Sequence, residues 1–318
     1  MTVTQEKYAQ LVDFTKKINT VDTAVVHPCK RYSLKATVEA AQLGVINPIL
    51  CGPEARIRAA ADEAELDISE FELLSTEHSH ESAALAVKLV HQGRAACLMK
   101  GSLHTDELMG AVVSRSSGLR TERRISHCFV MDVPSYSETL ILSDAAINIA
   151  PTLDDKVDII KNAIDLGLAL KFDQIRVAIL SAMETVSSKV PSTIEAAALC
   201  KMADRKQITG AILDGPLAMD NAINIQAANI KQIDSPVAGR ANVLIAPDLE
   251  AGNMLAKSLS FLANAQAAGI VMGARVPIIL TSRADSHMAR MASCSVAALV
   301  AEYRKLQETQ KIGLPSGV

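Results

Sequence analysis

The sequence predicts an α/β protein of two lobes, each built on a mostly parallel sheet flanked by helices. Three observations carry this. Short β-branched apolar runs recur along the chain with amphipathic segments between them, the rhythm of right-handed parallel crossovers. Hydrophobic residues make up 49% of the chain, yet aromatics only 3%, and Trp is absent. Such a core is aliphatic and suits helices packed on buried strands better than a sandwich or a base-stacking platform. The chain has 318 residues, beyond a typical domain of roughly 100–200 residues.

The elements follow in order. Residues 4–19 read as an amphipathic helix with Tyr8, Leu11, Val12 and Ile18 near one face. TAVVH at 23–27 and PILCG at 48–52 read as strands around one helix, with Ser33 as its cap and Gly44 as its stop. AACLM at 95–99 is a buried strand, followed by Lys100, Gly101 and a helix capped near Thr105. Residues 127–133 and 139–150 read as further strands, and Thr152 with Asp155 opens a helix. RVAILSA at 176–182 is a strand, and Ser192 with Glu195 forms an S-x-x-E capping box for a helix reaching Arg205. AILDG at 211–215, NVLIAPD at 242–248 and VPIILTSR at 276–283 complete the strands, and a last helix spans 286–310. The pattern places a first domain at 1–150 plus 275–318 and a second at 151–274, the terminal helix returning to the first.

Net charge is −3, which argues against bulk attraction to nucleic acid or an acidic membrane. The six cysteines form no C-x-x-C pair, so reduced thiols in a cytoplasmic protein fit better than a zinc site or a disulfide framework. The first residues lack the apolar core of a signal peptide, and no uncharged apolar stretch of about 18 residues spans a bilayer.

The sequence contains no G-x-G, no P-loop, no G-x-S-x-G and no H-E-x-x-H. Ligands of open α/β sheets sit beyond the carboxyl ends of the strands. Lys100, Asp214, Asp248 and the pair Ser282-Arg283 each follow a strand run. The loop RSSGLRTERR adds Arg115, Arg120, Arg123 and Arg124. Lys and Arg donors of this kind match phosphate oxygens. Arg115, Arg123 and Arg124 read as solvated loop charges, while for Lys100 and Arg120 surface charge and anion ligand stand open. His78 and His80 cap or precede a helix; His27, His104, His127 and His287 read as structural.

Three stretches change this reading: DGPLAMDNAIN at 214–224, DSPVAGRANVLIAPDLEAGNMLAK at 234–257 and VPIILTSRADS at 276–286. They resemble the phosphate acetyl/butyryltransferase family, whose pattern holds an Asp-Gly opening, a D-S-x-V-A-G-[KR]-A-N-V-L-I-x-P-D-L-x-x-G-N block and a terminal S-R. LMKGS at 98–102 and GLRT at 118–121 resemble its butyryl-type branch. The resemblance implies a bacterial, cytoplasmic homodimer with a fold like that of isocitrate and isopropylmalate dehydrogenases and an active-site cleft between the two domains. It implies transfer of an acetyl or butyryl group between coenzyme A and inorganic phosphate, with CoA as substrate, no cofactor and no metal; the charge adds the expectation of no nucleic-acid or membrane partner. Ser282 and Arg283 carry over as the family's catalytic Ser-Arg pair. The chain departs from acetyl-type relatives at Met109, where they hold an Arg, and at Ala289, where they hold an Asp; Asp285 is the substitute base. Lys100 and Arg120 are then expected to bind phosphate, and Asp214, Asp248, Gly252, Asn253 and Lys257 the CoA or substrate side, through backbone N–H groups at a helix start.

Two other readings remain at this point. A metal-dependent decarboxylating dehydrogenase of the same fold would use Asp214, Asp220 and Asp248 as metal ligands, although the S-R-A-D-S segment fits it poorly. A non-catalytic acyl-CoA-binding module is motivated by Met109 and Ala289.

Overall fold

The computed structural model describes residues 6–280 and 286–313. In chain order its elements are α1 (Glu6–Thr15), β1 (Val21–Val26), α2 (Arg31–Gln42), β2 (Ile46–Gly52), α3 (Glu54–Glu63), β3 (Glu72–Ser75), α4 (Ser79–His91), β4 (Cys97–Lys100) and α5 (Thr105–Val112). There follow β5 (Ser126–Asp132), β6 (Leu140–Ser143), α6 (Leu153–Ala169), β7 (Arg176–Leu180), α7 (Pro191–Asp204), β8 (Ile212–Leu217), α8 (Met219–Ile223) and α9 (Ile225–Ile230). The chain closes with β9 (Val243–Ile245), α10 (Leu249–Leu262), β10 (Gln266–Met272), β11 (Ile278–Ile279) and α11 (His287–Gly313).

Among the described residues two compact units result, the first holding residues 8–123, 268–280 and 286–313, the second residues 6–7 and 124–267. The first unit orders its strands β3-β2-β1-β4-β11-β10. All neighbours run parallel except β10, which is antiparallel to β11. Its core is aliphatic, with Val25, Leu50, Leu98, Ile270, Ile279 and Leu34 all fully buried. The second unit orders its strands β5-β6-β9-β7-β8, with β5 and β6 antiparallel and the rest parallel. Leu142, Leu244, Ala178, Met131 and Val237 lie at the heart of its core. The α/β class with mostly parallel strands is thus the one the sequence predicts.

The finer expectations divide. Thr152 and Asp155 do form a capping box on α6, Gly44 follows α2 with φ +70°, and His78 caps α4 by accepting from the Glu81 N–H. Ser33, however, lies inside α2, and its hydroxyl donates to Lys30 O. Ser192 likewise lies inside α7, which Pro191 opens. Glu195 is drawn instead to the buried Lys156 ammonium, and Ser192 to Ser181. Both caps fail because a closer partner takes the side chain. The strand pattern over 139–150 ends at Ser143, since Asp144 folds the following residues around its carboxylate. β5 and β6 pair within the second unit, β6 running beside β9 with Ile141 opposite Val243.

Candidate functional site

In the first unit, β1 and β4 run side by side with Val26 opposite Lys100. Their carboxyl ends form the edge where ligands of parallel sheets collect. Lys100 is half-buried as the last residue of β4. Gly101 follows because a side chain is impossible there: a Cβ would lie 2.3 Å from Val26 O. The turn then enters α5, where the Glu107 carboxylate accepts from His104 N (2.7 Å) and from the Ser79 hydroxyl (2.5 Å). These bonds, Ser79 foremost, hold Glu107 below the ordinary carboxylate range. The positive end of α5 is therefore occupied by the chain's own carboxylate.

Arg120 sits beyond α5 on an anchored backbone. It bridges Ala274, while the buried Leu119 on its other side donates to Val112 O and accepts from Arg275 N. Gly118 makes the turn possible, since a Cβ would meet Ser114 O and Val112 O at 2.4 Å. The Arg120 side chain is exposed, as is that of Arg115. Met109 is half-buried and Ala289 buried on α11. Ser282, Arg283 and Asp285 lie outside the described residues.

In the second unit, Asp248 caps α10, its Oδ1 accepting from Ala251 N at 2.8 Å. The N–H groups of that turn are largely committed: Leu249 N donates to Ile149 O and Gly252 N to Asp248 O. Gly252 is required by packing, for a Cβ would lie 2.3 Å from Asp144 O. Asn253 donates through Nδ2 to Ala145 O at 3.0 Å, and Lys257 is exposed one turn further on. Asp214 is half-buried in β8 and accepts from Gly215 N. Arg124, counted in sequence with the loop arginines, belongs to this unit and ties the scaffold, donating from Nε to Asn148 Oδ1 at 2.8 Å.

The platform under α10 is a loop that the strand pattern conceals. Asp144 is buried, and its carboxylate accepts from the N–H groups of Ala146, Ile147 and Asn148 and from Asn148 Nδ2. Asn148 Nδ2 also donates to Ile125 O. An Asp with polar partners two to four residues on is the local signal for such a turn. On the neighbouring strand, burial pushes the His127 imidazole down to about 4, partly opposed by the Asp144 carboxylate. Among the described residues its buried Nδ1 has no hydrogen-bond partner, and the ring stacks edge-on against Phe129. Among the described residues no group of three His, Cys, Asp or Glu is arranged to hold a metal ion. Among them, too, no helix is long and apolar enough to cross a membrane.

Comparison with known proteins places these features in a family. The family model described as "Phosphate acetyl/butaryl transferase" matches residues 76–298. A phosphate acetyltransferase of Rhizobium meliloti is 58% identical over 96% of this chain and 97% of its own length. A phosphate butyryltransferase of Clostridium beijerinckii is 37% identical over 94% of this chain and 99% of its own. The crystal structure of a branched-chain phosphotransacylase from Enterococcus faecalis V583 superimposes with a TM-score of 0.78 at 26% identity, covering 89% of this chain and 99% of that one.

Proposed function

The chain belongs to the phosphate acetyl/butyryl transferase family, and we propose that it moves an acetyl group between coenzyme A and inorganic phosphate. The single observation that carries the choice of acetyl is the much higher identity to the acetyl-named relative than to the butyryl-named one. In one direction the CoA sulfur attacks the carbonyl carbon of acetyl phosphate, the carbon–oxygen bond breaks and phosphate departs. In the other a phosphate oxygen attacks the thioester and the thiolate leaves. A thiol of pKa ~8.5 is mostly protonated at neutral pH and needs a base or a nearby cation. Asp285 takes that proton, Arg283 neutralises the charge that develops on oxygen, and Ser282 donates a hydrogen bond to the same anion. CoA is a substrate, and no bound cofactor enters the steps.

Lys100 and Arg120 hold the phosphate. The support is that Lys100 ends a strand at the ligand edge of its sheet, and that Arg120 projects from a fixed backbone. Asn253 and Lys257 contact the CoA side, with Asp214 flanking. Asp248 and Gly252 act by seating the first turn of α10. The deciding experiment is the assay itself. The purified protein is expected to release CoA from acetyl-CoA only when phosphate or arsenate is present; equal release without either anion would make it a thioester hydrolase.

Lys100→Met and Arg120→Gln are each expected to raise the KM for phosphate at least tenfold, about 1.4 kcal/mol, with the KM for acetyl-CoA moving much less. A rise in acetyl-CoA KM alone would remove both residues from the phosphate site. The enzyme works in the cytoplasm as a homodimer. Met254, Phe261 and Leu262 of α10 support the dimer, standing 62%, 77% and 84% exposed in the single chain, an unusual apolar display for a helix end. Sedimentation should give a dimer that Phe261→Asp with Leu262→Asp converts to monomer; a monomeric wild type would overturn the assignment.

A further inference from the structure

β1 stops at Val26, and His27 turns into the left-handed region with φ +57° while only 5% exposed. Non-glycine residues seldom adopt this conformation, histidine being among those that tolerate it. Pro28 follows, and a residue before proline ordinarily prefers extended backbone. A strained buried residue persists only where its surroundings over-determine it, and such residues cluster at functional sites.

The surroundings here are specific. His27 N donates to Cys51 O at 2.7 Å. His27 O accepts from Cys29 N (2.8 Å), Ser102 N (3.0 Å) and the Ser102 hydroxyl (2.7 Å). Gly101 N donates to Val26 O at 2.9 Å. The turn that follows Lys100 is therefore seated on the left-handed kink at His27.

The imidazole locks the kink from the other side. Its Nδ1 lies 3.1 Å from Ser82 Oγ. Ser82 has one hydroxyl proton, and it goes to His78 O at 2.9 Å. With the proton so placed Nδ1 donates to Ser82 Oγ, and the same oxygen hydrogen-bonds Thr76 Oγ1 at 2.8 Å. Nε2 is left as an acceptor, facing Arg56 Nη1 at 3.5 Å, a group that can only donate. This assignment gives each atom in the chain Arg56–His27–Ser82–His78 O one compatible role. The ring is neutral in this arrangement, as expected where burial, and after it Arg56, depress the imidazole.

We propose that His27 is a positioning residue for the transfer reaction: keyed into Ser82, its side chain fixes the left-handed turn at which Val26 O holds Gly101 and His27 O holds Ser102, and thereby sets Lys100 for phosphate. This rests on Lys100 being the phosphate ligand, and the experiment separates the two claims. Steady-state kinetics compare His27→Ala, His27→Asn, Ser82→Ala, Lys100→Met and the double variant His27→Ala with Lys100→Met, with melting temperatures alongside. His27→Ala and Ser82→Ala should raise phosphate KM about tenfold and change acetyl-CoA KM less than about threefold, the signature of lost positioning. His27→Asn should recover most of the loss, because Asn accepts the left-handed region and its amide supplies the missing donor. In the Lys100→Met background His27→Ala should add nothing, since both act on one contact. A merely structural role would lower melting temperature and active fraction without a selective KM effect. Unchanged phosphate KM in both His27→Ala and Ser82→Ala, an additive double variant, or Asn no better than Ala each overturns the proposal. Ser82→Ala removes one hydroxyl only, so it decides the matter if His27→Ala fails to fold. If Lys100→Met itself leaves phosphate KM unchanged, the Lys100 assignment is what fails, and the positioning role falls with it.

Discussion

Arg283→Ala is expected to lower kcat by about 10²-fold or more without a matching change in melting temperature. In either direction negative charge grows on oxygen at the reacting carbon, and a fixed donor aimed at it is worth ~3–4 kcal/mol. A guanidinium is always charged and presents donors in a rigid fork, so Lys is not an adequate replacement. Arg283→Lys should therefore regain only part of the rate. Asp285→Asn supplies the contrast. A general base typically contributes ~10²–10⁴-fold, and the proton moves only during reaction, so the rate should fall while the KM for acetyl-CoA stays near its wild-type value. Full activity of Asp285→Asn between pH 6 and 8 would assign the proton to another group. Full activity of Arg283→Ala would remove the Ser-Arg pair from the chemistry altogether.

How much of this was legible in the sequence depends on the range of the interactions involved. The strands over 23–27, 48–52, 95–99 and 176–182 announced themselves because parallel strands buried on both faces read as apolar runs. β3 did not, since its pattern of two exposed ends around Leu73 and Leu74 carries neither a run nor an alternation. Caps were legible where the partner was local, as with Thr152 and Asp155, and misleading where a distant group won, as with Glu195 and Lys156. The 234–257 block identified the family, but residues within it serve as scaffold in the structure. Gly239 has φ +76° against Ile225, and Asn242 links Glu138, Gln174 O and Arg176 N. Motif strength thus reported fold as much as chemistry. His27 was invisible as anything but a lone histidine, because its role lies in a backbone angle and in contacts 55 and 75 positions away. The H-P dipeptide at a strand end was the one local sign.

The largest stability effect is expected at Asp144, which no motif singles out. Asp144→Ala leaves the N–H groups of Ala146, Ile147 and Asn148 and the Asn148 amide without their acceptor. A buried donor left unmet costs about 1–3 kcal/mol, so even with part of the loop rehydrated the loss should reach about 3 kcal/mol or more. For a chain of this size that corresponds to a fall in Tm of about 4–5 °C. Asp144→Asn keeps one acceptor oxygen but turns an NH₂ toward donors, and should fall between the two. The consequence extends to function because α10 rests on the same loop through Leu249 N to Ile149 O, Asn253 to Ala145 O and the close approach of Gly252 to Asp144 O. Below its melting temperature, Asp144→Ala should therefore raise the KM for acetyl-CoA more than that for phosphate, since Asn253 and Lys257 move with α10. Gly252→Ala probes the same joint from the helix side. Its Cβ would sit 2.3 Å from a main-chain oxygen, so helix or loop must shift, and the same selective rise in acetyl-CoA KM is expected. An unchanged Tm for Asp144→Ala would mean that water replaces the carboxylate at no net loss. A rise confined to phosphate KM would detach α10 from the CoA side.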